Sequence, residues 1–439
     1  MGKNRRWGFM RLWVLAVLMA GCPSLVAGVA WADEPSDAAL RAEIRDLKNR
    51  LARLENRVAG AEIGGISSIG EKPGASTLEL PSGLRGLSIS GYADVSYIYN
   101  LEKPDPVSGG NPGRVFDTES GGFTPHAAEL VLEKAMTSEM PFGFRTDLFF
   151  GDDAELIHAT GLGEAPGTGN VADTFDLQQA YVTARAPIGD GLDFKVGKFV
   201  TLLGAEVIES PANWNFSRSY MFGYSIPFTH TGVLATYPLG EIGSTTLGVV
   251  NGWDIVDDNN QAKSLIGNLT LTPMKTLTVS LNGITGAEQN NNSHNHRTVF
   301  DSVVTWTPVE RLALMANYDY GHESGLTPGT GAAGSDGVNW QGLALYAKYD
   351  VTPTWSLAGR WEWFGDMDNV RTRLTSLGGG IPTDIDFMEW TLTNQWTLHE
   401  HVLARLEYRH DKANEQVFKH GDAFNDYQDT IAAEMIYHF

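Results

Sequence analysis

The alternation in residues 87–99, which read LSISGYADVSYIY, decides the fold of this chain. Ile89, Val95 and Tyr97 fall on one side of an extended backbone, whereas the serine and aspartate side chains fall on the other. A repeat of two residues predicts a β-strand with one apolar face and one mainly polar face. The pattern recurs along the chain as far as residues 429–439, which read DTIAAEMIYHF.

The sequence predicts sixteen such segments, joined alternately by short turns and long loops. The short turns repeatedly contain proline, which presets a turn and cannot donate to a β-ladder. Segment ends are fixed by sequence only to within about two to four residues, so counts of about 14 or 18 stay open. The segments are 87–99, 126–135, 142–150, 176–186, 191–200, 229–237, 244–253, 263–272, 275–284, 298–307, 311–321, 339–350, 354–364, 387–397, 401–410 and 429–439.

Two architectures could use these strands. In a soluble sandwich the apolar faces would meet a second sheet, whereas in a membrane barrel they would meet lipid. Segments of about ten residues, rising about 3.3 Å each at a tilt of about 45°, span roughly 23 Å, close to the apolar band of an outer-membrane barrel. Trp and Tyr near the segment ends suit an interfacial girdle, and closure removes the sheet edges. We therefore expect an all-β fold, a transmembrane antiparallel β-barrel of about 16 strands over residues 87–439, with both ends on the periplasmic rim.

The composition excludes several classes of protein. The 439 residues carry 32 basic and 53 acidic side chains, a formal net charge of −21. This acidic balance argues against a partner nucleic acid, which needs a basic surface. A single cysteine excludes a disulfide scaffold, and no apolar run of about 20 residues follows the N-terminal region.

Residues 1–32 have the organisation of a signal peptide. A basic stretch precedes an apolar core, and Ala30-Trp31-Ala32 supplies a small-x-small cleavage pattern. The alternative is a lipoprotein processed at Cys22. Either outcome takes the chain out of a bacterial cytoplasm.

Residues 33–62 carry a heptad seam that predicts a short α-helical coiled coil in the periplasm. The flanking charges suit pairing between neighbouring chains, so we expect self-association as a homotrimer; the alternative is an amphipathic helix lying on its own protein. Residues 63–86 form a Gly-rich linker before the barrel. The seam consists of Leu40, Ile44, Leu47, Leu51, Leu54 and Val58.

The last predicted strand carries a candidate assembly signal. Tyr437 and Phe439 end an alternating apolar face. This resembles the terminal signature that the bacterial barrel assembly machinery reads, so we expect that machinery to be a partner.

The third long connection, residues 200–228, is unusually rich in leucine and aromatic residues. A loop of that composition is too apolar to be freely solvated, and we expect it to pack on another part of the protein.

Two stretches resemble a family of bacterial β-barrel porins of the OmpL-like kind. The first runs from Val196-Gly197-Lys198-Phe199 through Gly204-Ala205-Glu206 and Ser217-Arg218-Ser219 to 227–232 (PFTHTG), and the second is Asn251-Gly252-Trp253-Asp254 with Asp258-Asn259-Asn260. The resemblance implies an outer-membrane porin, in contact with lipid, through which small hydrophilic solutes diffuse. The coiled coil resembles the periplasmic extensions of some trimeric sugar porins.

In sixteen-stranded porins the third outer loop narrows the lumen, so the resemblance implies a constriction at residues 200–228. Opposed fixed charges there would select solutes by charge. The alternative is that these residues form ordinary ion pairs in the lumen. The predicted constriction residues are Glu206, Glu209 and Arg218 of the loop, with Arg145, Arg185, Lys195, Arg360, Arg405 and Arg409 as a basic wall.

Other functions carry weaker signals. Asp254, Asp257 and Asp258 are oxygen ligands that could hold Ca²⁺, although their spacing fits no known calcium loop, and no other cofactor is expected. The excess of acidic residues predicts a mild preference for cations. A tether to the cell wall is one alternative function. A barrel lipase or protease is another, for which the sequence offers only scattered histidines such as His126, and we expect no enzyme.

Overall fold

The computed structural model describes residues 86–104, 110–162, 174–376, 380–421 and 423–439. The predicted signal peptide and coiled-coil helix lie outside the described residues, as does all of the linker except Gly86.

Sixteen antiparallel strands close into one barrel, which confirms the predicted all-β architecture and strand count. Each strand pairs with its neighbours in the chain, and the first pairs with the last. The barrel strands are β1 (Ser88–Asn100), β2 (Gly122–Lys134), β3 (Phe142–Phe150), β4 (Phe175–Ala186), β5 (Leu192–Val200), β6 (Thr229–Pro238), β7 (Gly243–Val250), β8 (Ser264–Met274), β9 (Leu277–Ala287), β10 (His296–Val309), β11 (Leu312–Leu326), β12 (Ala333–Thr352), β13 (Trp355–Asp366), β14 (Ile385–His399), β15 (Val402–Ala413) and β18 (Tyr427–His438).

Strands β1 and β18 close the barrel. Their register places Tyr92 opposite His438 and Ser96 opposite Glu434. Beyond the ladder, the N–H of Phe439 donates to the carbonyl of Gly91 at 3.0 Å. Closure therefore pairs the two strands that would otherwise expose unpaired backbone groups.

The two faces of the strands divide as the alternation predicts. In β1, Val95 and Tyr97 point outward, whereas Asp94 and Ser96 are buried inside the barrel. In β18, Ile431, Met435 and Tyr437 point outward, and Glu434 is buried inside. The middle of these two strands thus presents an apolar side to lipid, and their ionisable side surrounds the lumen.

Several short elements in the connections between strands were not predicted, including helical turns at Ser210–Ala212, Met221–Ser225 and Gly240–Ile242. A helix, α1 (Asp152–Ile157), lies in the second loop, and a hairpin of β16 (Phe418–His420) and β17 (Ala423–Asn425) lies in the last. Elements of three to six residues are too short to show a periodic pattern. No helix in the described ranges is long and apolar enough to cross a membrane.

Strand β12 is longer than predicted. It begins at Ala333, six residues before the predicted segment 339–350. The added residues 333–338 include two glycines and an aspartate and carry no apolar alternation. Only the backbone ladder with β11, which pairs Leu326 with Ala333, extends the strand there.

Candidate functional site: the lumen and its third long loop

The third long loop, residues 201–228 (L3), lies inside the barrel. Tyr220, Met221 and Phe222 are buried, so L3 packs on another part of the protein, as its composition predicts. Glycine at position 342 of β12 permits this approach, because a Cβ there would lie 2.5 Å from Met221 Cγ. The inward residues in the same apolar cluster include Phe199, Leu234, Val250, Ile266, Ile284, Val299, Trp340, Phe364, Ile385 and Phe387.

Two glutamates of the barrel wall hold the backbone of L3. Glu362 of β13 accepts hydrogen bonds from the N–H groups of Tyr220 at 2.8 Å and Met221 at 2.6 Å. Glu407 of β15 accepts from the N–H groups of Phe216 at 2.7 Å and Ser217 at 3.0 Å. Each carboxylate therefore satisfies two successive backbone donors of L3, and those of Tyr220 and Met221 lie at the start of a single helical turn, Met221–Ser225.

Arg360 links L3 to the wall by charge. Its Nη1 lies 2.6 Å from Glu206 Oε1 of L3, and its Nε lies 2.5 Å from Glu389 Oε1 of β14. Nη1 also donates to the carbonyl of Ser217 at 2.6 Å. All three charged side chains are buried, so removing any one of them would leave a buried charge without its partner and destabilise the fold.

Two further arginines donate to carbonyl groups of L3. Arg405 reaches Asn213 at 2.7 Å, and Arg409 reaches Arg218 at 2.6 Å. The residues that hold L3 on strands β13 and β15 form the anchoring wall: Arg360, Glu362, Arg405, Glu407 and Arg409.

The structure divides the predicted constriction residues into separate groups. Arg360, Arg405 and Arg409 lie buried against L3 together with Glu206, whereas Arg218 donates to carbonyls within L3 itself. The other four predicted residues lie away from the anchoring wall.

Arg145 and Lys195 belong to strands β3 and β5. Arg145 pairs with Asp147 at 2.9 Å, and the Nζ of Lys195 lies 4.4 Å from the ring centre of Tyr181. Neither hydrogen-bonds or pairs with the residues of the anchoring wall.

Arg185 and Glu209 complete the predicted set. The half-exposed Arg185 lies next to the short-turn rim and pairs with Asp193 at 2.6 Å, away from L3. Glu209 of L3 accepts from Gln178 Nε2 at 2.8 Å, and burial raises the pKa of its carboxyl group. Glu209 therefore faces β4, on the side of L3 away from the anchoring wall.

Sequence reasoning missed a second set of inward carboxylates. Asp94 of β1, Glu129 of β2 and Glu434 of β18 are buried on three adjacent strands, and we call them the acidic face. Both carboxylate oxygens of Asp94, and one each of Glu129 and Glu434, have no hydrogen-bond partner among the described residues. The inward register of the strands was the available signal, since Asp94 already falls on the polar side of residues 87–99.

One cluster has the composition of a hydrolase triad. Ser96 Oγ lies 2.7 Å from His126 Nε2, and His126 Nδ1 lies 3.0 Å from Asp153 Oδ1. All three residues are at most 3% exposed, and the ring of Phe216 lies edge-on to the imidazole. The serine hydroxyl is therefore covered from solvent.

The three candidate calcium ligands do not form one site. Asp254 accepts from the N–H groups of Phe228 and Thr229, both at 2.8 Å, whereas Asp258 pairs with Lys263. Within the described ranges, no group of three or more His, Cys, Asp or Glu side chains could hold a metal ion. Asp254 and Asp258 therefore have different partners within the protein, and calcium binding by Asp254, Asp257 and Asp258 stays a prediction.

Comparison with known proteins gives one family and many structural neighbours. Residues 86–439 match the sequence model of the family described as "Putative beta-barrel porin-2, OmpL-like". No curated protein sequence matches significantly.

Three solved structures illustrate the likeness. The outer membrane channel DcaP of Acinetobacter baumannii is 12% identical, with a TM-score of 0.51 over 80% of this chain and 97% of that one. An anion-selective porin from Comamonas acidovorans is 10% identical, with a TM-score of 0.50 over 80% and 99%. OmpT of Vibrio cholerae, solved in a trimer form, is 11% identical, with a TM-score of 0.51 over 80% and 99%. At such identities the likeness extends to the fold alone.

Proposed function

The chain belongs to the OmpL-like family of β-barrel porins of the outer membrane, and from this premise we propose that L3 is the constriction past which small hydrophilic solutes diffuse. The observation that supports this proposal most directly is the position of L3 inside a closed barrel, held by the anchoring wall. A loop fixed by buried charge pairs keeps a constant aperture, whereas a solvated loop would not.

The side of L3 away from its buried face supplies the lining of this constriction. Val207 is 40% exposed and Ala212 is also exposed, although their neighbours Ile208 and Asn213 are buried. We propose that Val207 and Ala212 face the aqueous path.

Cysteine modification in planar bilayers tests the constriction. The natural Cys22 lies in the predicted signal peptide, so a mature Val207→Cys variant carries one thiol. We expect a charged methanethiosulfonate reagent to reduce its single-channel current. The matched control is Leu247→Cys, which is 69% exposed on the outward face of β7 and should not respond. Folded protein without conductance would refute channel function, and an unblocked Val207→Cys channel would refute the constriction.

We propose that the channel prefers cations mildly. The formal net charge of −21 supports this preference, as does the acidic face inside the barrel. The Comamonas neighbour is titled anion-selective, so the shared fold does not fix the sign of selectivity. The reversal potential in a potassium chloride gradient measures it.

We propose a homotrimer, with the coiled coil of residues 33–62 in the periplasm as one contact between subunits. The trimer form of Vibrio cholerae OmpT supports trimers on this fold. Deleting residues 33–62 and measuring mass in detergent tests the contribution of the coiled coil. If the deletion leaves both assembly and attachment to the cell wall unchanged, the coiled coil has neither a trimerising nor a tethering role.

We propose that the assembly machinery recognises Tyr437 and Phe439. Both side chains are about half exposed on the outer face of the barrel.

We infer that the Ser96–His126–Asp153 cluster is structural and that the protein is not an enzyme. The cluster joins β1, β2 and α1, and its serine is 2% exposed, so a substrate carbonyl has no access. A fluorophosphonate probe should leave Ser96 unlabelled in the folded protein. Labelling that the Ser96→Ala variant abolishes would instead support a hydrolase.

A further inference from the structure

Three consecutive strands of the barrel carry no charge. Strands β7, β8 and β9 contain no Asp, Glu, Lys, Arg or His, although Asp, Glu, Lys and Arg make up 19% of the chain. The anchoring wall and the acidic face supply charged inward residues from β13, β15, β18, β1 and β2. The wall of the lumen therefore has one uncharged side.

The inward residues on this uncharged side change character along each strand. Ile266 and Ile284 belong to the apolar cluster that contains L3. The next inward residues toward the short turns are Asn268 and Asn282, so polar side chains begin where the apolar cluster ends. Six hydroxyl and amide residues there form what we call the polar track: Thr236, Thr246, Asn268, Thr270, Ser280 and Asn282.

The strand register aligns the polar track across four strands. Thr246 lies opposite Thr236 on one side and Asn268 on the other. Asn268 in turn lies opposite Asn282. Neighbouring strands are about 4.8 Å apart, so these side chains follow one another at that spacing around the wall. Hydrogen bonds join the hydroxyls of Thr236 and Thr246 at 2.8 Å and Asn268 Nδ2 to Asn282 Oδ1 at 2.5 Å.

The polar track is open to water, whereas the anchoring wall is not. Leu247 and Leu265 point outward, at 69% and 59% exposed, so the residues of the track point inward and their exposed surface faces the lumen. The residues of the anchoring wall are at most 3% exposed. In the described ranges no hydrogen bond or ion pair from L3 reaches β7, β8 or β9; its polar contacts are with strands such as β11, β13 and β15. The partly exposed members of the track are Thr236, Asn268, Thr270 and Ser280.

A cavity adjoins the end of the polar track at β6. It has a volume of about 260 Å³, includes Tyr181, Thr183 and Arg185, and lies at the rim of the short turns. Arg185 pairs with Asp193 at 2.6 Å, and Asp193 lies opposite Thr236. Open space therefore lies beside the polar track at the periplasmic rim.

We propose that solutes cross the lumen along the polar track and that the track binds uncharged polyhydroxylated solutes, such as sugars and polyols. The proposal rests on the proposed function, because it needs a channel that passes L3. Hydroxyl and amide side chains both donate and accept hydrogen bonds, as the hydroxyl groups of such a solute do. The track has no fixed charge, so it offers an ion no partner in exchange for its hydration shell.

The experiment measures block of the potassium current by maltose in planar bilayers. We expect maltose to reduce the single-channel current of the natural protein, and the reduction to saturate because the sugar occupies a site. Polyethylene glycol of similar hydrodynamic size donates hydrogen bonds only at its ends, so its effect should not saturate.

Thr270→Val removes a hydroxyl that lies 3.0 Å from Ser280 Oγ on the polar track. It should raise the half-blocking concentration of maltose about threefold, the effect of losing one hydrogen bond between neutral groups. Adding Asn268→Leu should raise that concentration about tenfold.

Thr285→Val is the matched control. Thr285 lies on β9, and its hydroxyl likewise pairs with another, Thr298 Oγ1 at 2.7 Å, but it lies opposite the outward Leu265 on the face toward lipid. Its half-blocking concentration should match that of the natural protein. Heat-modifiable mobility in gels verifies folding; if a variant does not fold, the comparison of maltose with polyethylene glycol on the natural protein carries the test.

Maltose block that does not saturate would overturn the proposal, as would equal block in Thr270→Val and the natural protein or an equal weakening by Thr285→Val. Each of these results leaves the constriction intact if Val207→Cys still responds to its reagent. Absence of conductance in the folded natural protein would refute the channel, and the role of the polar track with it.

Discussion

The anchoring wall and the acidic face are both inward, buried and rich in charge, but they differ in pairing. On the anchoring wall, arginines alternate with glutamates, and both oxygens of Glu362 and of Glu407 accept hydrogen bonds from L3. On the acidic face, Asp94 has no hydrogen-bond partner among the described residues, whereas Glu434 pairs with Arg405 at 3.0 Å. The charged side chains of the lumen therefore differ in pairing: those of the anchoring wall hold L3, whereas Asp94 has no such role among the described residues.

The largest effect is expected at Arg360. Arg360→Ala leaves Glu206 and Glu389 buried without their common cation, and breaking a buried pair in this way costs roughly 3–5 kcal/mol. Urea unfolding in detergent measures the loss of stability. Single-channel recordings should show a larger and noisier conductance, because L3 loses its attachment.

Arg360→Lys is the matched control. It keeps the charge but loses the geometry that reaches Glu206, Glu389 and Ser217 together, so its effect should be intermediate. An alanine variant with natural stability and conductance would show that the anchoring wall does not hold L3.

A smaller loss is expected at Glu407. Glu407→Ala removes the acceptor for the N–H groups of Phe216 and Ser217 and for the hydroxyl of Thr393. Leaving these buried donors unsatisfied should cost about 3 kcal/mol. Glu407→Gln keeps one acceptor oxygen and should recover part of that stability in the same unfolding assay; equal losses for both variants would indicate that charge, not the hydrogen bonds, matters.

Asp254 tests whether hydrogen bonds from backbone N–H groups alone can offset the cost of burying an ionised carboxylate. It accepts hydrogen bonds from the N–H groups of Phe228 and Thr229, as the glutamates of the anchoring wall do from L3, but no cation among the described residues forms an ion pair with it. Burial raises its pKa to about 6, so the two hydrogen bonds do not fully offset the cost of the charge. The folded state therefore holds the proton more tightly than the unfolded state, and stability from this group is lost as pH rises through about 6.

Asp254→Asn should remove this pH dependence. Relative to the variant, the natural protein should lose up to about 2–3 kcal/mol of unfolding free energy between pH 4 and pH 7. The measurement is the difference in unfolding free energy between the natural protein and Asp254→Asn at each pH in that range. A difference that stays constant with pH would mean that Asp254 titrates near its ordinary pKa.

The sequence predicts the barrel well because lipid and water impose a repeat of two on every strand. Residues 87–99 show the repeat plainly, and the sixteen predicted segments correspond to the sixteen barrel strands. The hairpin of β16 and β17 is not predicted, because three-residue strands above the membrane need no apolar face.

The candidate site was only partly predictable. The composition of residues 200–228 predicts a packed loop, but the hypothesis of a charged lumen sets Glu206 and Arg360 on opposed sides of a constriction, whereas the structure joins them in a buried ion pair. Which of these arginines L3 contacts depends on the course of L3 across the barrel, which no periodic pattern records. The isolation of Asp94 is likewise a property of its neighbours on β2 and β18, residues distant in sequence.

The smallest effect on stability, and the one of opposite sign, is expected at Asp94. Asp94→Asn removes a buried charge that no hydrogen bond in the described residues compensates, so its unfolding free energy should change by less than about 1 kcal/mol, toward stabilisation. Urea unfolding of Asp94→Asn and Arg360→Ala in one series measures the difference in unfolding free energy between the two variants. A loss above about 2 kcal/mol would show that Asp94 has a partner within the protein. The acidic face would then be a second anchoring surface, and the distinction between the two sides of the lumen would disappear.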